Sequence, residues 1–274
     1  MTAEQDAAFT ALAQRIAGRA GLDVGAYKDR CLRRRIAVRM RACGVHTYSD
    51  YLGELDRRPD ELDRLLDTIT INVTKFYRNP ETWSWLERNL LQALVSARRG
   101  RVRIWSAGCA SGEEPYTIAM VLAQACAAAG REDWIDDVRI DATDIDRESL
   151  DRARAARYHE RVFSETPPAL VKRYCRQIAP EEFEVDSRLR GVVEIRRLDL
   201  LRESPALPQY DLIFCRNVVI YFDRRTQERL MGTFFDALVP GGHLILGKVE
   251  TIFGPIRDRL TLVEPRERVY RKPV

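Results

Sequence analysis

Residues 101–117 read RVRIWSAGCASGEEPYT: an apolar strand, a small-residue turn closed by Gly108 and Gly112, and an acidic helix start. A strand that feeds a glycine-bearing turn and then a helix brings backbone close to a nucleotide-like ligand, and it commits the surrounding chain to an α/β layout. Glu113 and Glu114 occupy the first helical turn, where a pyrophosphate would need an uncluttered positive helix end. Two carboxylates there repel phosphate and favour a ligand that is cationic or rich in hydroxyl and amino groups. Glu-Glu-Pro is also sound capping chemistry for any helix, with acids at the positive dipole end and proline where its missing N–H costs nothing. The strands that follow have to decide between the two readings.

Past Gly100, strand and helix patterns alternate. The strand candidates are 102–107, 138–143, 192–196, 210–215, 243–247 and 268–272, with helices at about 114–129, 146–156 and 224–238. Alternation of this kind predicts a mostly parallel sheet with helices on both faces. The interval 157–191 breaks the rhythm with a polar stretch holding Pro167, Pro168 and Pro180, and it reads as an excursion from the sheet. Residues 1 to about 75 show helical periodicity only, with stripes of Phe9, Leu12, Ala13, Ile16, then Tyr27, Cys31, Ile36, Met40, then Leu52, Leu55, Leu62, Leu65, Leu66, Ile69. Pro59 ends one helix and opens the next. Residues 81–98 form a bridging helix whose buried side carries Trp83, Leu86, Leu90 and Leu94.

The strand 138–143 runs into Asp144-Ile145-Asp146. An acid at the end of a second strand can accept two hydrogen bonds from a ribose diol. Its separation from Gly108 exceeds the usual spacing of roughly 20 residues, and the loop around Arg131–Trp134 supplies the extra length. Either acid could cap the following helix; we assign the cap to Asp146 and the ligand group to Asp144. The segment DLIFCRNVVIYFD, 211–223, is apolar enough to be buried on both faces. Arg216 and Asn217 therefore emerge at its carboxyl end, where open α/β sheets bind ligands. Asn217 both donates and accepts, which suits an amino-acid moiety or an adenine edge, and Tyr221 follows at the mouth. S-adenosylmethionine fits this set, having a sulfonium, an ammonium and a ribose diol but no phosphate. Upstream, INVTKFYRN (71–79) is a short polar linker; loop polarity alone would account for Asn72, Thr74 and Arg78, and it could also fold over a cofactor cleft.

Four segments, INVTKFYRN, SAGCASGEEPYTIAM, ATDIDRESLDRAR and FCRNVVIYFD, occur in an order and spacing that resemble the CheR family of chemotaxis-receptor protein-glutamate O-methyltransferases, from about residue 8 to the C-terminus. The resemblance implies an α/β class I S-adenosylmethionine-dependent methyltransferase: Rossmann-like, with a mostly parallel sheet, an all-helical N-terminal domain and a small β-subdomain insertion. The expected division is a helical domain over 1–75, a linker and bridging helix over 76–98, and a methyltransferase domain over 99–274 with the insertion at about 160–190. By the same resemblance Asn72, Thr74, Arg78, Glu113 and Asp144 contact S-adenosylmethionine, as do the pairs Asp199-Leu200 and Arg216-Asn217, and S-adenosylhomocysteine is the product. Arg78 is the candidate for aiming the accepting carboxylate, with Tyr221 as an accessory. The chain departs from the family at Asp199-Leu200, where Asn-Leu is frequent, and at GKVET (247–251), where a Gly-His-Ser-Glu type sequence is usual. The stretch from Tyr174 to Leu200 is short, which argues against use of a receptor's C-terminal pentapeptide tether.

Composition narrows the partners. The chain has 274 residues, 31% of them charged, and a net charge of only +4, so no general affinity for nucleic acid follows. Charge is concentrated in KDRCLRRRIAVRMR (28–41), where seven basic residues face Asp29 alone. One-sided charge favours an acidic partner surface over a merely solvated helix face. The expected partner is the cytoplasmic domain of a methyl-accepting chemoreceptor. No apolar run approaches about 18 residues, the N-terminus is polar from its start, and six scattered cysteines form neither a metal nor a disulfide pattern. A cytoplasmic enzyme without a metal is expected. A nucleic-acid methyltransferase would want aromatics interleaved with the arginines and an Asn-Pro-Pro-Tyr type motif in place of Arg-Asn-Val-Val. A non-catalytic cofactor-binding adaptor is the other alternative, and GKVET leaves room for it.

Overall fold

Helical periodicity in the first quarter of the chain and strand–helix alternation afterwards divide the protein into two units, Met1–Asn72 with Tyr221–Thr226 and Val73–Ile220 with Gln227–Val274. The computed structural model describes residues 3–20, 24–69, 74–97, 100–205 and 209–274.

The helical unit holds α1 (Ala3–Ala20), α2 (Asp29–Ala42), α3 (Tyr48–Arg57) and α4 (Pro59–Ile69). Thr47 starts α3 by accepting the Asp50 amide, and Pro59 opens α4 where no intrahelical donor is needed. Phe9, Leu12, Ile16, Ile36, Met40, Leu55, Leu62, Leu65 and Ile69 are the buried apolar residues of the expected stripes. Two stripes are displaced by one residue from expectation: Leu32 and Tyr51 are buried, whereas Cys31 and Leu52 are only half-buried. Tyr51 earns its place through its hydroxyl, which donates to the buried Glu61 (2.8 Å), while Arg39 grips the same carboxylate with two bonds of 2.9 and 2.6 Å. A stripe read from hydropathy alone passes over a tyrosine whose polar end is satisfied inside.

In the second unit, α5 (Pro80–Leu86) and α6 (Gln92–Ala97) are joined by a π turn at Glu87–Leu91. The wider turn rotates the inward face. Leu91 and Val95 are buried beside Trp83 and Leu86, and the expected Leu90 and Leu94 are left half-buried. There follow β1 (Val102–Ala107), α7 (Glu113–Ala128), β2 (Val138–Asp144), α8 (Arg147–Ala155), β3 (Arg157–His159), α9 (Pro168–Tyr174), β4 (Cys175–Ala179), β5 (Glu182–Val185), α10 (Ser187–Gly191), β6 (Val193–Arg197), β7 (Tyr210–Cys215), α11 (Arg224–Ala237), β8 (Leu238–Leu246), β9 (Thr261–Glu264) and β10 (Val269–Arg271).

The main sheet runs β6-β2-β1-β7-β8-β10-β9, its first five strands parallel and β10 antiparallel to both neighbours. Every residue of β7 is buried, as its unbroken apolar run requires. Chain order reverses between β1 and β7, so a crevice opens beyond their carboxyl ends. β8 begins five residues before the expected 243 because a register shift around Pro240-Gly241-Gly242 lets Leu238 pair with Tyr210. β9 was not expected from the sequence: three of its four residues are exposed, so it has no buried–exposed alternation.

The excursion is a separate three-stranded antiparallel sheet, β3-β5-β4. It belongs to the site because of its aromatics. Phe76 lies 4.4 Å from Phe163 and 4.9 Å from Tyr158, ring centre to ring centre, and the Tyr158 hydroxyl donates to the Ser111 carbonyl at 2.7 Å.

Candidate cofactor and active site

The glycine turn after β1 is tied to the end of β2 before any ligand is considered. Gly108 and Cys109 amides both donate to the Thr143 carbonyl (2.8 and 3.0 Å), and the Ala110 amide donates to Asp144 Oδ2 at 2.8 Å. Gly108 has φ +82°, and a Cβ there would sit 2.4 Å from Val218 Cγ2. Glycine is demanded here by left-handed backbone and by the close approach of the loop after β7.

Asp144 also accepts the Asp146 amide (3.0 Å), and Asp146 caps α8 by accepting from Glu148 and Ser149. Asp146 is the helix cap, as expected, and Asp144, expected as the ligand group, has its two oxygens on backbone amides of the turns that flank the crevice. Burial pushes the Asp144 carboxyl above its ordinary range, and its backbone donors pull back only part of the way. Glu113, first residue of α7, is buried with Ser111 Oγ donating to it at 2.8 Å, and burial raises its pKa too. Among the described residues neither Glu113 nor Asp144 has an ion-pair partner. Arg152 lies near enough for its charge to offset part of the burial effect on Glu113, but two desolvated carboxylates outside any ion pair still suit a positively charged, hydroxyl-bearing ligand and repel phosphate.

Glu114 does something different from its neighbour. It accepts from Ser106 Oγ (2.8 Å) and faces the Arg216 guanidinium at 3.6 Å. Arg216 in turn donates to the Arg78 carbonyl (2.8 Å) and to Asn79 Oδ1 (3.0 Å), with its guanidinium 5.3 Å from the Trp83 ring centre. Arg216, expected among the ligand contacts, is buried, and its guanidinium also holds a strap of chain, Thr74–Asn79. The strap has further ties. The Phe76 amide donates to Val162, the Tyr77 amide to Thr117 Oγ1, the Asn79 amide to Glu165, and Lys75 pairs with Glu165 at 3.3 Å. Tyr77 and Asn79 have φ of 57° and 62°, conformations that these bonds must offset. Arg78 rides on the strap near enough for its charge to lower the Glu114 pKa, while burial, the larger effect, raises it. Thr74 is half-buried at the start of the strap. Asn72 lies outside the described residues.

Asp199, beyond β6, is buried; it accepts the Leu201 amide at 2.9 Å and lies 3.7 Å from Arg202, with Leu200 half-buried beside it. The Leu198 amide donates to the Asp144 carbonyl (2.9 Å), which joins this turn to the end of β2. Asn217 has φ 62°, and its Oδ1 is buried without a partner. Tyr221 groups with the helical unit, where its carbonyl accepts the Lys28 amide at 2.9 Å.

From the sequence Glu114 is one of two phosphate-repelling carboxylates, not the partner of an arginine, and Tyr158, Glu165 and Glu250 have no role. The first and last left a faint signal, each being an acid set in an apolar stretch near a strand's carboxyl end. Tyr158 and Glu165 left none, because their partners are 47 and 86 residues away.

The family model described as CheR methyltransferase, SAM binding domain, matches residues 72–269, and that described as CheR methyltransferase, all-alpha domain, matches residues 7–70. The chain is 35% identical over 264 residues to the chemotaxis protein methyltransferase of Escherichia coli K12, covering 94% of this chain and 88% of the relative. Similar proteins of the same description are found in Klebsiella aerogenes (34% identical; 92% and 86% covered) and Borreliella burgdorferi (33%; 85% and 84%). S-adenosylmethionine is the cofactor, and the cation-seeking carboxylates and the unfilled Asn217 acceptor are chemistry that suits it. Matched over both its helical unit and its sheet-bearing unit, the chain belongs to the CheR methyltransferase family.

Proposed function

We propose that the protein methylates glutamate side chains on the cytoplasmic domain of a chemoreceptor, forming methyl esters. The observation that carries this reading is the pair of carboxylates at the glycine turn, Glu113 and Asp144, both pushed above their ordinary range by desolvation and neither held in an ion pair among the described residues, set in a chain whose relatives are named chemotaxis protein methyltransferases. Asn72, Thr74, Arg78, Glu113, Asp144, Asp199, Leu200, Arg216 and Asn217 form the cofactor-binding set, and Arg216 also braces the strap that carries Arg78. When bound, S-adenosylmethionine supplies an electrophilic methyl group. An acceptor carboxylate with an ordinary pKa near 4.3 is already ionised at neutral pH, so no general base is needed. The protein's work is alignment and exclusion of water, and positioning alone contributes roughly 7–11 kcal/mol to such reactions.

Arg78 aims the acceptor carboxylate by charge-assisted hydrogen bonds, and the strap that carries it is pinned at both ends, so the guanidinium starts from a fixed base. Tyr221 is a weaker accessory. α2 offers the acidic receptor its exposed Lys28, Arg30, Arg34 and Arg41, with Arg33 and Arg39 committed to Asp29, Asp6 and Glu61 within the helical unit. A pentapeptide tether is not required. No helix among the described residues is long and apolar enough to cross a membrane, and action in the cytoplasm on the receptor's inner portion fits free thiols at all six cysteines. A nucleic-acid substrate and a non-catalytic role are not favoured by relatives that are named methyltransferases of chemotaxis.

The test is transfer of labelled methyl groups to receptor cytoplasmic fragments. The label should be released as methanol in mild base, which N-methyl products resist. Arg78→Ala should nearly abolish transfer with unchanged circular dichroism, and near-normal turnover would remove Arg78 from the role given to it.

A further inference from the structure

The loop after β8, Gly247-Lys248-Val249-Glu250, holds a carboxylate that the chemistry above does not use. Glu250 is 2% exposed. Its Oε2 accepts the Gly247 amide at 2.6 Å and the Asn217 amide at 2.9 Å, and its Oε1 accepts the Ile220 amide at 3.2 Å. The Val218 amide also contributes to holding its charge. One side chain thus collects the amides of Asn217, Val218 and Ile220 in the loop that follows β7. That loop needs collecting. Asn217 is in the left-handed region, and Val218 is pressed into the space that a Gly108 side chain would fill. Gly247 completes the arrangement, because a Cβ there would lie 2.8 Å from the Asn217 amide nitrogen and 3.0 Å from its Nδ2. The Asn217 amide group is therefore clamped, with its Oδ1 buried and unpaired.

We infer that Glu250 is a positioning residue of the methyltransferase site: it acts through Asn217, whose unfilled acceptor it holds ready for a donor of the cofactor. A buried acceptor without a partner costs free energy in the empty protein and recovers it when a donor arrives. Holding that acceptor in place beforehand also removes an ordering cost from binding. The inference rests on the reading of this crevice as the cofactor site.

Glu250→Gln keeps the shape but turns one oxygen into an NH2 group. That group must face either the Gly247 and Asn217 amides or the Ile220 amide, all of which are donors. The test is the affinity of the purified full chain for S-adenosylhomocysteine, measured by calorimetry well below the unfolding temperature, in a double-mutant cycle with Asn217→Ala. Each single substitution should weaken binding by about 10- to 100-fold, while Glu250→Gln added to Asn217→Ala should cost no more than about twofold further. A purely structural role predicts losses that multiply, and that result would overturn the inference. So would full affinity in either single variant. Should Glu250→Gln fail to fold, Gly247→Ala disturbs the same clamp without changing charge and carries the same cycle, with wild-type affinity again overturning it. Asp144→Ala run in parallel separates the two levels: unchanged affinity there would remove the cofactor site itself, whatever Glu250 does.

Discussion

Replacing Arg216 with methionine tests whether a buried ion pair, more than ligand contact, explains that arginine. The side chain is 3% exposed, donates to the Arg78 carbonyl and to Asn79, and faces Glu114, itself 13% exposed. Methionine retains much of the volume against Trp83 but none of the donors. Stranding a buried carboxylate costs about 3–5 kcal/mol, and the lost bonds to the strap bring the expected destabilisation to the upper part of that range. Against a typical total of roughly 5–15 kcal/mol, the variant should fold but with a clearly lower urea midpoint. Burial already holds the Glu114 pKa above its ordinary value, with Arg216 opposing, so removal of the arginine raises it further. A carboxyl whose folded pKa exceeds its unfolded one stabilises the native state fully below the unfolded pKa and loses that contribution as pH rises through the folded one. The deficit of Arg216→Met should therefore be small in mild acid and grow toward neutrality. Adding Glu114→Gln, which still accepts from Ser106, removes the stranded charge and should restore about 2 kcal/mol or more. It should not restore catalysis. With the strap released at Arg78, methyl transfer should stay down by about 100-fold, the cost of an ångström-scale misplacement. Denaturant titrations across pH, paired with methyl-transfer rates, measure all of this. A single variant that loses under about 1 kcal/mol, or a double variant no more stable than the single, would refute the assignment.

Three further outcomes are expected. Gly108→Ala forces a Cβ into Val218 at left-handed φ; thermal melting should fall, and S-adenosylhomocysteine affinity should drop by at least about tenfold, since the strain alone is worth roughly 1–2 kcal/mol. Arg39→Ala leaves Glu61 buried and should cost the helical unit about 3–5 kcal/mol. Burial raises the Glu61 pKa, but bonds from Arg39, Tyr51 and Cys43 outweigh it and leave it lowered, so the native pair stabilises above the unfolded pKa and the gap between wild type and variant should close as pH falls through the folded value. Charge reversal at Arg30 and Arg34, both exposed and without ion pairs among the described residues, should weaken receptor binding in a salt-dependent way while cofactor affinity holds; unchanged receptor affinity would dismiss α2 as the docking face.

What the amino-acid sequence determined by itself was local or periodic. The all-buried run of β7, the glycine turn into α7, the Asp146 cap and the Pro59 break each depend on neighbours a few residues away, so each could be read along the chain. Periodicity went astray where another force outweighed hydropathy. A π turn rotated the bridging helix toward Leu91 and Val95, a satisfied hydroxyl drew Tyr51 inside, and an edge position freed β9 from alternation. The tertiary structure alone decided how the carboxylates differ. Glu113 and Glu114 are adjacent and chemically identical, yet one is held by the Ser111 hydroxyl outside any ion pair among the described residues and the other is matched to an arginine 102 residues further on. Likewise Glu250 in a late loop and Glu165 in the insertion serve loops distant in sequence. Burial and long-range partners set whether a charge binds a ligand or holds a strap, and neither quantity exists until the sheet has brought the strand ends together.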